Sequence, residues 1–241
     1  MIEPLLTLEG VHTHIGRYHI LQGVDLTVPR GGFTVLLGRN GAGKTTTLRT
    51  IMGLWKASRG RIRFAGADVT ARPTPDIARA GIAYVPENMS IFSGLTVREN
   101  LLLAARSGDI DKRRLDWIFS LFPALQLFFG LAAGALSGGQ KQMLAIARAL
   151  AEPRELILVD EPTKGLAPAI VGNMIRAFRE VKNAGTTVLL VEQNFMAARM
   201  LGDTVVVMDD GRIVHHGRMA ELAADQALQQ RLLGLHLDTH Q

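Results

Sequence analysis

The chain has 241 residues, of which 47% are hydrophobic and 20% charged, enough apolar material for one or two compact lobes with a buried core. This composition excludes disordered and fibrous proteins. The formal charge is +5, but the 27 Lys and Arg are scattered among 22 acidic residues without a basic cluster, so nucleic-acid binding is not expected. Cysteine is absent, which excludes disulfides and cysteine-ligated metal sites and permits a reducing cytosol.

Predicted strands and helices alternate through most of the chain. The N-terminal segment MIEPLLTLEG has no basic stretch before a long apolar core, so no secretion signal is expected. Residues 33–37 (FTVLL) are typical of a buried strand, and residues 44–52 have helix-forming composition. Further strands are predicted at residues 61–64, 82–85, 156–159, 187–191 and 204–208. Helical patterns separate many of these strands, which predicts an α/β fold with a mostly parallel sheet.

The middle of the chain breaks this alternation. Thr96 followed by Glu99 forms a capping box, the usual start of a helix. Helices without intervening strands are predicted over residues 97–106, 112–122 and 139–150. These helices indicate a helical lobe inserted into the α/β core.

The predicted domain limits follow from that insertion. The α/β core comprises residues 1–87 and 151–241, and the helical lobe comprises residues 88–150. Within the second part of the core, the segment at 209–212 is predicted to turn a hairpin and residues 220–233 to form a helical tail.

Residues 117–140 carry no charged side chain, a length that could cross a bilayer. Pro123 and several glycines interrupt this stretch. A buried helix followed by a glycine-rich loop therefore fits better than a membrane span, and no transmembrane helix is expected.

A phosphate-binding loop is predicted between the first buried strand and its helix. GRNGAGKT at residues 38–45 fits the pattern G-x-x-x-x-G-K-[ST] in the required strand-to-helix context. Glycines let backbone N–H groups point at a phosphate, the lysine reaches the β- and γ-phosphates, and the threonine hydroxyl can ligate Mg²⁺. The predicted nucleotide-binding residues here are Gly38, Arg39, Asn40, Gly41, Ala42, Gly43, Lys44, Thr45 and Thr46.

Two carboxylates follow the apolar strand LILV. Successive acidic residues at the carboxyl end of a buried strand are better explained by Mg²⁺ and water chemistry than by surface charge. Asp160 is the predicted Mg²⁺ ligand, together with Thr45. Glu161 is the predicted base that orients and deprotonates the attacking water, and Lys44 is the second predicted catalytic residue.

The segment LSGGQ, residues 136–140, lies between these two motifs and opens a helix. The three motifs in this order resemble those of ABC-type ATPases over nearly the whole chain. The resemblance implies a P-loop NTPase fold with N-terminal antiparallel β elements. It also implies that a second subunit's ATP lies against the signature segment, whose predicted nucleotide-binding residues are Ser137, Gly138, Gly139 and Gln140.

Three further positions correspond to functional positions of the family, and two of them carry a different residue. Tyr18 stands where the family places an aromatic ring on adenine, although a plain surface or core tyrosine is the alternative. Glu87 replaces the usual glutamine as a predicted nucleotide and Mg²⁺ contact. Gln193, the third predicted catalytic residue, replaces the usual switch histidine, so it can donate to a γ-phosphate but cannot titrate.

Glu87, Gln193 and the segment KGLAP at residues 164–168 resemble the ATP-binding subunits of branched-chain amino acid importers. The resemblance implies an ATP-hydrolysing subunit at the cytoplasmic face of a membrane, paired with a second ATPase subunit, with permease subunits and indirectly with a solute-binding protein. A lipid or glycolipid exporter ATPase is the nearer alternative. An ABC ATPase acting on DNA or ribosomes is the more distant one.

Two segments depart from that subfamily. Lys164 stands where an acidic or neutral residue is expected, and LQLFFGLAA at residues 125–133 replaces expected charged residues. Phe128 and Phe129 are interpreted as additional core of the helical lobe, with an exposed docking patch for a membrane subunit as the alternative.

Overall fold

The structure is a computed structural model that describes residues 4–106 and 108–234. The outer ends of the predicted core ranges, including the first three residues of the N-terminal segment, lie outside the described residues. The strands are β1 (Pro4–Ile15), β2 (Tyr18–Pro29), β3 (Phe33–Leu37), β4 (Ala57–Phe64), β5 (Ala67–Asp68), β6 (Ile82–Val85), β7 (Leu156–Asp160), β8 (Thr187–Val191), β9 (Thr204–Asp209) and β10 (Arg212–Arg218).

A six-stranded sheet carries most of the fold, in the order β10-β9-β3-β8-β7-β6. Its strands are parallel except for β10, which pairs antiparallel with β9. All residues of β3, β7 and β8 are buried, because both faces of the sheet are covered. This is the α/β fold with a mostly parallel sheet that the strand–helix alternation predicts.

A second, antiparallel sheet has the order β2-β1-β4-β5 and is built from the N-terminal part of the chain. These strands are the N-terminal antiparallel β elements that the resemblance implies. Residues of β1 and β2 share a cluster of buried side chains with one face of the large sheet, where Leu36 of β3 lies. Its neighbour Val35 belongs to the cluster on the opposite face, because successive side chains of a strand alternate.

Helices connect the strands and cover the large sheet. They are α1 (Lys44–Ile51), α2 (Thr74–Arg79), α3 (Val97–Leu102), α4 (Lys112–Leu121), α5 (Pro123–Leu127), α6 (Gly138–Leu150), α7 (Pro168–Asn183), α8 (Phe195–Leu201), α9 (Met219–Ala224) and α10 (Gln226–Leu233). None of the helices in the described ranges has the length and apolar character that a bilayer crossing needs.

The helices from α3 to α6 form a run without strands in the described part of residues 88–150, apart from a single bridge between Thr96 and Ala132. The capping box predicted for α3 is present, since the Thr96 side chain accepts from the Glu99 N–H and Glu99 accepts from the Thr96 N–H. Buried residues of this run, such as Leu101 and Phe122, belong to the same cluster as Val35 of the large sheet.

Two predicted helices differ from the observed ones by more than one residue. The predicted helix 97–106 ends at Leu102, because the next N–H groups, those of Ala104 and Ala105, bond carbonyls three residues back in a tightened turn. The predicted tail at 220–233 is two helices. Asp225 has an extended backbone and its side chain caps α10 by accepting from Leu228 N at 2.9 Å.

Phe128 and Phe129 of the helical lobe are half-buried, and both pack against the core cluster. Phe129 meets Phe119 edge to face with ring centroids 5.2 Å apart. The large hydrophobic residues of this segment that are exposed are instead Leu127, at 80%, and Leu131, at 51%. The core interpretation of Phe128 and Phe129 therefore agrees with their packing.

Candidate active site

The carboxyl edge of the large sheet brings together loops from four parallel strands. The phosphate loop follows β3, Glu87 lies two residues beyond β6, Glu161 follows β7, and Gln193 lies two residues beyond β8. Because carboxyl ends of parallel strands lie on one edge, residues distant in sequence become neighbours there. The described contacts join all four loops.

The phosphate loop needs glycine at two positions where the backbone is left-handed and space is short. A Cβ at Gly38 would lie 2.2 Å from the carbonyl oxygen of Met208, and φ there is +153°. A Cβ at Gly43, with φ +108°, would lie 3.1 Å from a Leu21 methyl and 3.2 Å from the Met208 sulfur. Strand packing therefore fixes the path of the loop that the motif predicts.

Lys44 begins α1 and is only 4% exposed. Its Nζ donates to the carbonyl oxygens of Gly38 and Arg39 at 2.9 and 3.0 Å, so the ammonium is held inside the curve of the loop. It also lies 3.8 Å from Glu161 Oε1. Burial lowers the pKa of Lys44, while the charges of Glu161 and Asp160 oppose that shift.

Asp160 is the last residue of β7 and is fully buried. Its Oδ1 accepts from the Thr45 hydroxyl at 3.0 Å and its Oδ2 accepts from the Tyr84 hydroxyl at 3.2 Å. Burial raises the pKa of Asp160, and these two hydrogen bonds oppose the shift. Burial likewise raises the pKa of Tyr84 to about 12.

Glu161 has a hydrogen-bond donor on one carboxylate oxygen, and its other oxygen, which is buried and accepts no hydrogen bond from the described residues, has an ion pair. Oε1 accepts from Gln193 Nε2 at 2.5 Å and faces Lys44, while Oε2 lies 3.2 Å from Lys164 Nζ. The residue has φ +47°, a conformation that costs energy for a non-glycine residue. Gln193 Nε2 also donates to Asn40 Oδ1 at 2.6 Å, which ties it to the phosphate loop.

Glu87 also belongs to this group. Its Oε1 lies 2.6 Å from Lys164 Nζ, and the two side chains are 43% and 54% exposed. Lys164 therefore contacts two carboxylates, Glu87 and Glu161, that come from different strands of the sheet.

The signature segment forms a second, separate group at the start of α6. The Ser137 side chain accepts from Gln140 N at 3.3 Å, and Gln140 Oε1 accepts from Ser137 N at 2.8 Å. A Cβ at Gly139 would lie 2.9 Å from Ile170 of α7, and Gly138 is exposed. Over the described residues, no hydrogen bond or ion pair joins this segment to the phosphate loop.

Tyr18 is the first residue of β2 and is 60% exposed. The Arg17 guanidinium lies over its ring, 5.3 Å from the centroid.

The remaining predicted nucleotide contacts, Gly41, Ala42 and Thr46, lie in the phosphate loop and the first turn of α1. Gly41 is exposed, whereas Ala42 is buried.

Two residues of the group were not singled out from the sequence. Tyr84 lies near the end of β6, where it pairs with Leu158 of β7, and its hydroxyl contact with Asp160 depends on a strand order that the sequence does not show. Glu192 directly precedes Gln193 and is 2% exposed. It accepts backbone N–H bonds from Thr163, Gln193 and Asn194, and burial raises its pKa.

The hairpin between β9 and β10 supports the phosphate loop from behind. Asp210 and Gly211 both have positive φ, as a two-residue hairpin turn requires. The Gly211 N–H bonds the Ala42 carbonyl at 2.9 Å, and the Gly211 carbonyl accepts from Gln22 N at 2.9 Å. The turn therefore links the loop to the antiparallel sheet.

Known proteins resemble this chain over most of its length. The profile described as ABC transporter matches residues 21–164. The chain is 39% identical over 232 residues to the high-affinity branched-chain amino acid transport ATP-binding protein BraG of Pseudomonas aeruginosa, covering 95% of this chain and 100% of that one. It is 36% identical over 222 residues to the probable branched-chain amino acid transport ATP-binding protein LivF of Archaeoglobus fulgidus, covering 90% and 93%.

Solved structures resemble the chain in the same way. An ATP-binding subunit of an ABC transporter superimposes with a TM-score of 0.81 at 30% identity, covering 97% of this chain and 96% of that one. A nucleotide-free ATP-binding cassette from an ABC transporter gives 0.80 at 26% identity, covering 97% and 100%. The chain belongs to the ABC transporter family, as one of the ATP-hydrolysing subunits that power transport.

Proposed function

We propose that this subunit drives the import of branched-chain or related amino acids. The observation that carries the ATPase chemistry is the position of Glu161, whose carboxylate lies between Lys44 of the phosphate loop and Gln193. The two relatives named for branched-chain amino acid transport support the choice of substrate, since their likeness extends over at least 90% of this chain.

In the proposed reaction, Lys44 binds phosphate, Glu161 is the base and Gln193 orients that base. Lys44 and the N–H groups of the phosphate loop hold the β- and γ-phosphates of ATP. Glu161 accepts a proton from the attacking water as the water oxygen bonds to the γ-phosphorus and the bond to the bridging oxygen breaks. Gln193 holds the Glu161 carboxylate and can donate to the γ-phosphate. The products are ADP and phosphate.

The residues at the end of β7 fit a magnesium ion. Asp160 is a fully buried carboxylate whose hydrogen-bond partners among the described residues are two hydroxyls, and a buried charge of this kind favours a nearby cation. The ligand atoms offered by Thr45 and Asp160 are oxygens, which Mg²⁺ prefers. Glu87 is the third proposed ligand. Bound Mg²⁺ would neutralise phosphate charge during transfer.

The remaining roles concern the partners. Tyr18 would stack on adenine, and Ser137, Gly138, Gly139 and Gln140 would meet ATP held by a second ATPase subunit. The separation of the signature segment from the phosphate loop within one chain supports a site completed by two copies or by a similar partner. Permease subunits, and through them a solute-binding protein, would complete the transporter at the cytoplasmic face of the membrane. The segment 88–150 would act as the helical lobe that meets the permease.

Replacing the proposed base tests the reaction. Glu161→Gln keeps the side chain's size but cannot accept the proton, so we expect ATP binding to persist and turnover to fall roughly 100-fold or more. Phosphate release and binding of a fluorescent ATP analogue would be measured on the full chain, alone and with its permease. Turnover at the normal rate in Glu161→Gln would refute the assignment.

Replacing the phosphate-loop lysine tests the binding site. Lys44→Ala removes the ammonium held by the Gly38 and Arg39 carbonyls, and we expect ATP affinity to fall about 10- to 100-fold. Lys112→Ala, which removes an exposed lysine of α4, is the matched control. The substrate is tested separately, by uptake of leucine, isoleucine or valine in cells that lack this subunit.

A further inference from the structure

A lysine that the family resemblance does not expect lies among the groups proposed for hydrolysis. Lys164 Nζ is 2.6 Å from Glu87 Oε1 and 3.2 Å from Glu161 Oε2. Its backbone N–H bonds the Glu161 carbonyl at 3.2 Å, so the lysine follows Glu161 in a short turn. One ammonium thus joins two carboxylates from different loops.

Stability alone gives little reason for this contact. Both Lys164 and Glu87 are about half exposed, and ion pairs at that exposure contribute little to folding because water screens them. The other carboxylate, Glu161, is only 8% exposed. The contact therefore matters more for where the Glu161 carboxylate points than for whether the chain folds.

Glu87 and Glu161 place two like charges close together, which favours a cation between them. Both carboxylates contact one nitrogen, so their oxygens are at most about 6 Å apart, within the range where like charges repel appreciably. A neutral glutamine at position 87 would not create this repulsion. With glutamate there, the ammonium of Lys164 offsets the additional negative charge beside the base and the phosphates.

We infer that Lys164 is a positioning residue for ATP hydrolysis, which holds the Glu161 carboxylate in place and compensates the charge of Glu87. This inference rests on the proposed role of Glu161. It links two departures, the glutamate at 87 in place of the family's usual glutamine and the lysine at 164 that is not expected in the importer subfamily, because the ammonium offsets the charge of that carboxylate.

A double-mutant cycle tests the inference. We expect Lys164→Ala to lower kcat roughly 10-fold with the KM for ATP within about 2-fold, because positioning of the base is lost while the phosphate loop is intact. Lys164→Arg keeps the cation and should retain most of the activity. Glu87→Gln is also measured alone, because Glu87 is a proposed magnesium ligand. In that background Lys164→Ala should lower kcat by no more than about 3-fold, since the uncompensated carboxylate is gone.

Controls separate this effect from a folding defect and from failure of the proposed function. Lys112→Ala breaks an exposed pair of the same 2.6 Å length, with Asp116, and should leave kcat unchanged. The melting temperature of Lys164→Ala should match that of the starting chain. Glu161→Gln is measured in parallel, because its loss of turnover tests the base itself.

The possible outcomes decide the inference. It is overturned if Lys164→Ala turns over normally, or if Glu87→Gln and Lys164→Ala lower kcat independently so that their effects multiply. If Glu161→Gln turns over normally, the proposed function fails and the inference falls with it. If Glu161→Gln is inactive but Lys164→Ala is unaffected, the proposed function stands and only the role of Lys164 is refuted.

Discussion

The hydroxyl of Thr45 donates a hydrogen bond of 3.0 Å to Asp160 Oδ1, joining two residues that are 115 positions apart in the chain. Thr45 is the second residue of α1, the helix after the phosphate loop, and Asp160 ends β7, which β8 separates from β3 in the sheet. The contact sets two oxygen ligands side by side at one end of the sheet. Its proposed use as a magnesium site leads to a direct experiment.

Asp160→Asn should separate magnesium-dependent from magnesium-independent nucleotide binding. The substitution keeps an oxygen acceptor for Thr45 but removes the charge that attracts a divalent cation. We expect the affinity for an ATP analogue with Mg²⁺ to fall at least about 10-fold, and the affinity in EDTA to change little. Asp116→Asn on the exposed face of α4 is the control. Equal losses with and without Mg²⁺ would argue against a metal ligand at position 160.

Gly38→Ala should destabilise the fold strongly. The new Cβ would lie 2.2 Å from the Met208 carbonyl oxygen at a φ that favours glycine, so β9 and the loop must move apart. We expect the free energy of unfolding to fall by about 3 kcal/mol or more. Gly41→Ala meets no atom within 4 Å and should cost only about 1–2 kcal/mol for its backbone conformation. Urea unfolding would compare the two, and equal losses would contradict the close approach.

Phe129→Ser should destabilise the protein because its ring packs on Phe119 and on the core cluster. For this half-buried ring we expect a loss of about 2 kcal/mol in the free energy of unfolding. Leu127→Ser, at an 80% exposed position, should change stability by no more than about 0.5 kcal/mol. A stable Phe129→Ser variant that fails to join its permease would instead favour a docking role for this ring.

The stability difference between the wild type and Glu192→Gln should depend on pH. Burial raises the pKa of Glu192 above its ordinary value of 4.5, so the folded chain keeps this proton to higher pH than the unfolded chain. As pH rises from the unfolded pKa through the raised folded pKa, the free energy of unfolding therefore falls by the cost of ionising a buried carboxyl. Below that window both states are protonated, and the cost is absent.

Glu192→Gln cannot ionise, although it loses one oxygen that accepts backbone N–H bonds. The variant should therefore be less stable than the wild type at low pH, by an amount that shrinks as pH rises through the window. Urea midpoints measured between pH 4 and pH 8 would test this. A difference that grows with pH would mean that the three backbone N–H bonds lower the pKa of Glu192 more than burial raises it.

Most of the fold was predictable because local pattern and tertiary environment agree along the large sheet. The strands at 33–37, 82–85 and 187–191 have the predicted limits, since each is an apolar run bounded by turn residues. Those at 33–37 and 187–191 are buried on both faces. The prediction of a single helix over 220–233 was wrong. Residues on both sides of Asp225 have helix-forming composition, so composition does not show that α10 starts at that cap. A capping hydrogen bond depends on backbone geometry that composition does not encode.

For the site, the sequence predicts the motifs but not the contacts between them. Motif spacing identified the phosphate loop and the two carboxylates after β7, because their sequence context is local. The contacts of Tyr84 with Asp160 and of Lys164 with Glu87 join residues that lie more than seventy positions apart. Such contacts depend on strand order, which places β6 beside β7. The unexpected lysine could be noticed in the sequence, but its partners could not.

The hydrogen bonds of Gly211 to Ala42 and Gln22 imply that nucleotide affinity depends on a part of the chain that carries none of the proposed chemistry. A Cβ at Gly211 would lie 2.1 Å from the Ile20 carbonyl oxygen, so any side chain there would displace the hairpin from β2. Inactivating variants can therefore arise far from the phosphates. Likewise, a fragment truncated before the β9–β10 hairpin would retain every motif but would lose the hydrogen bond from Gly211 to the Ala42 carbonyl of the phosphate loop.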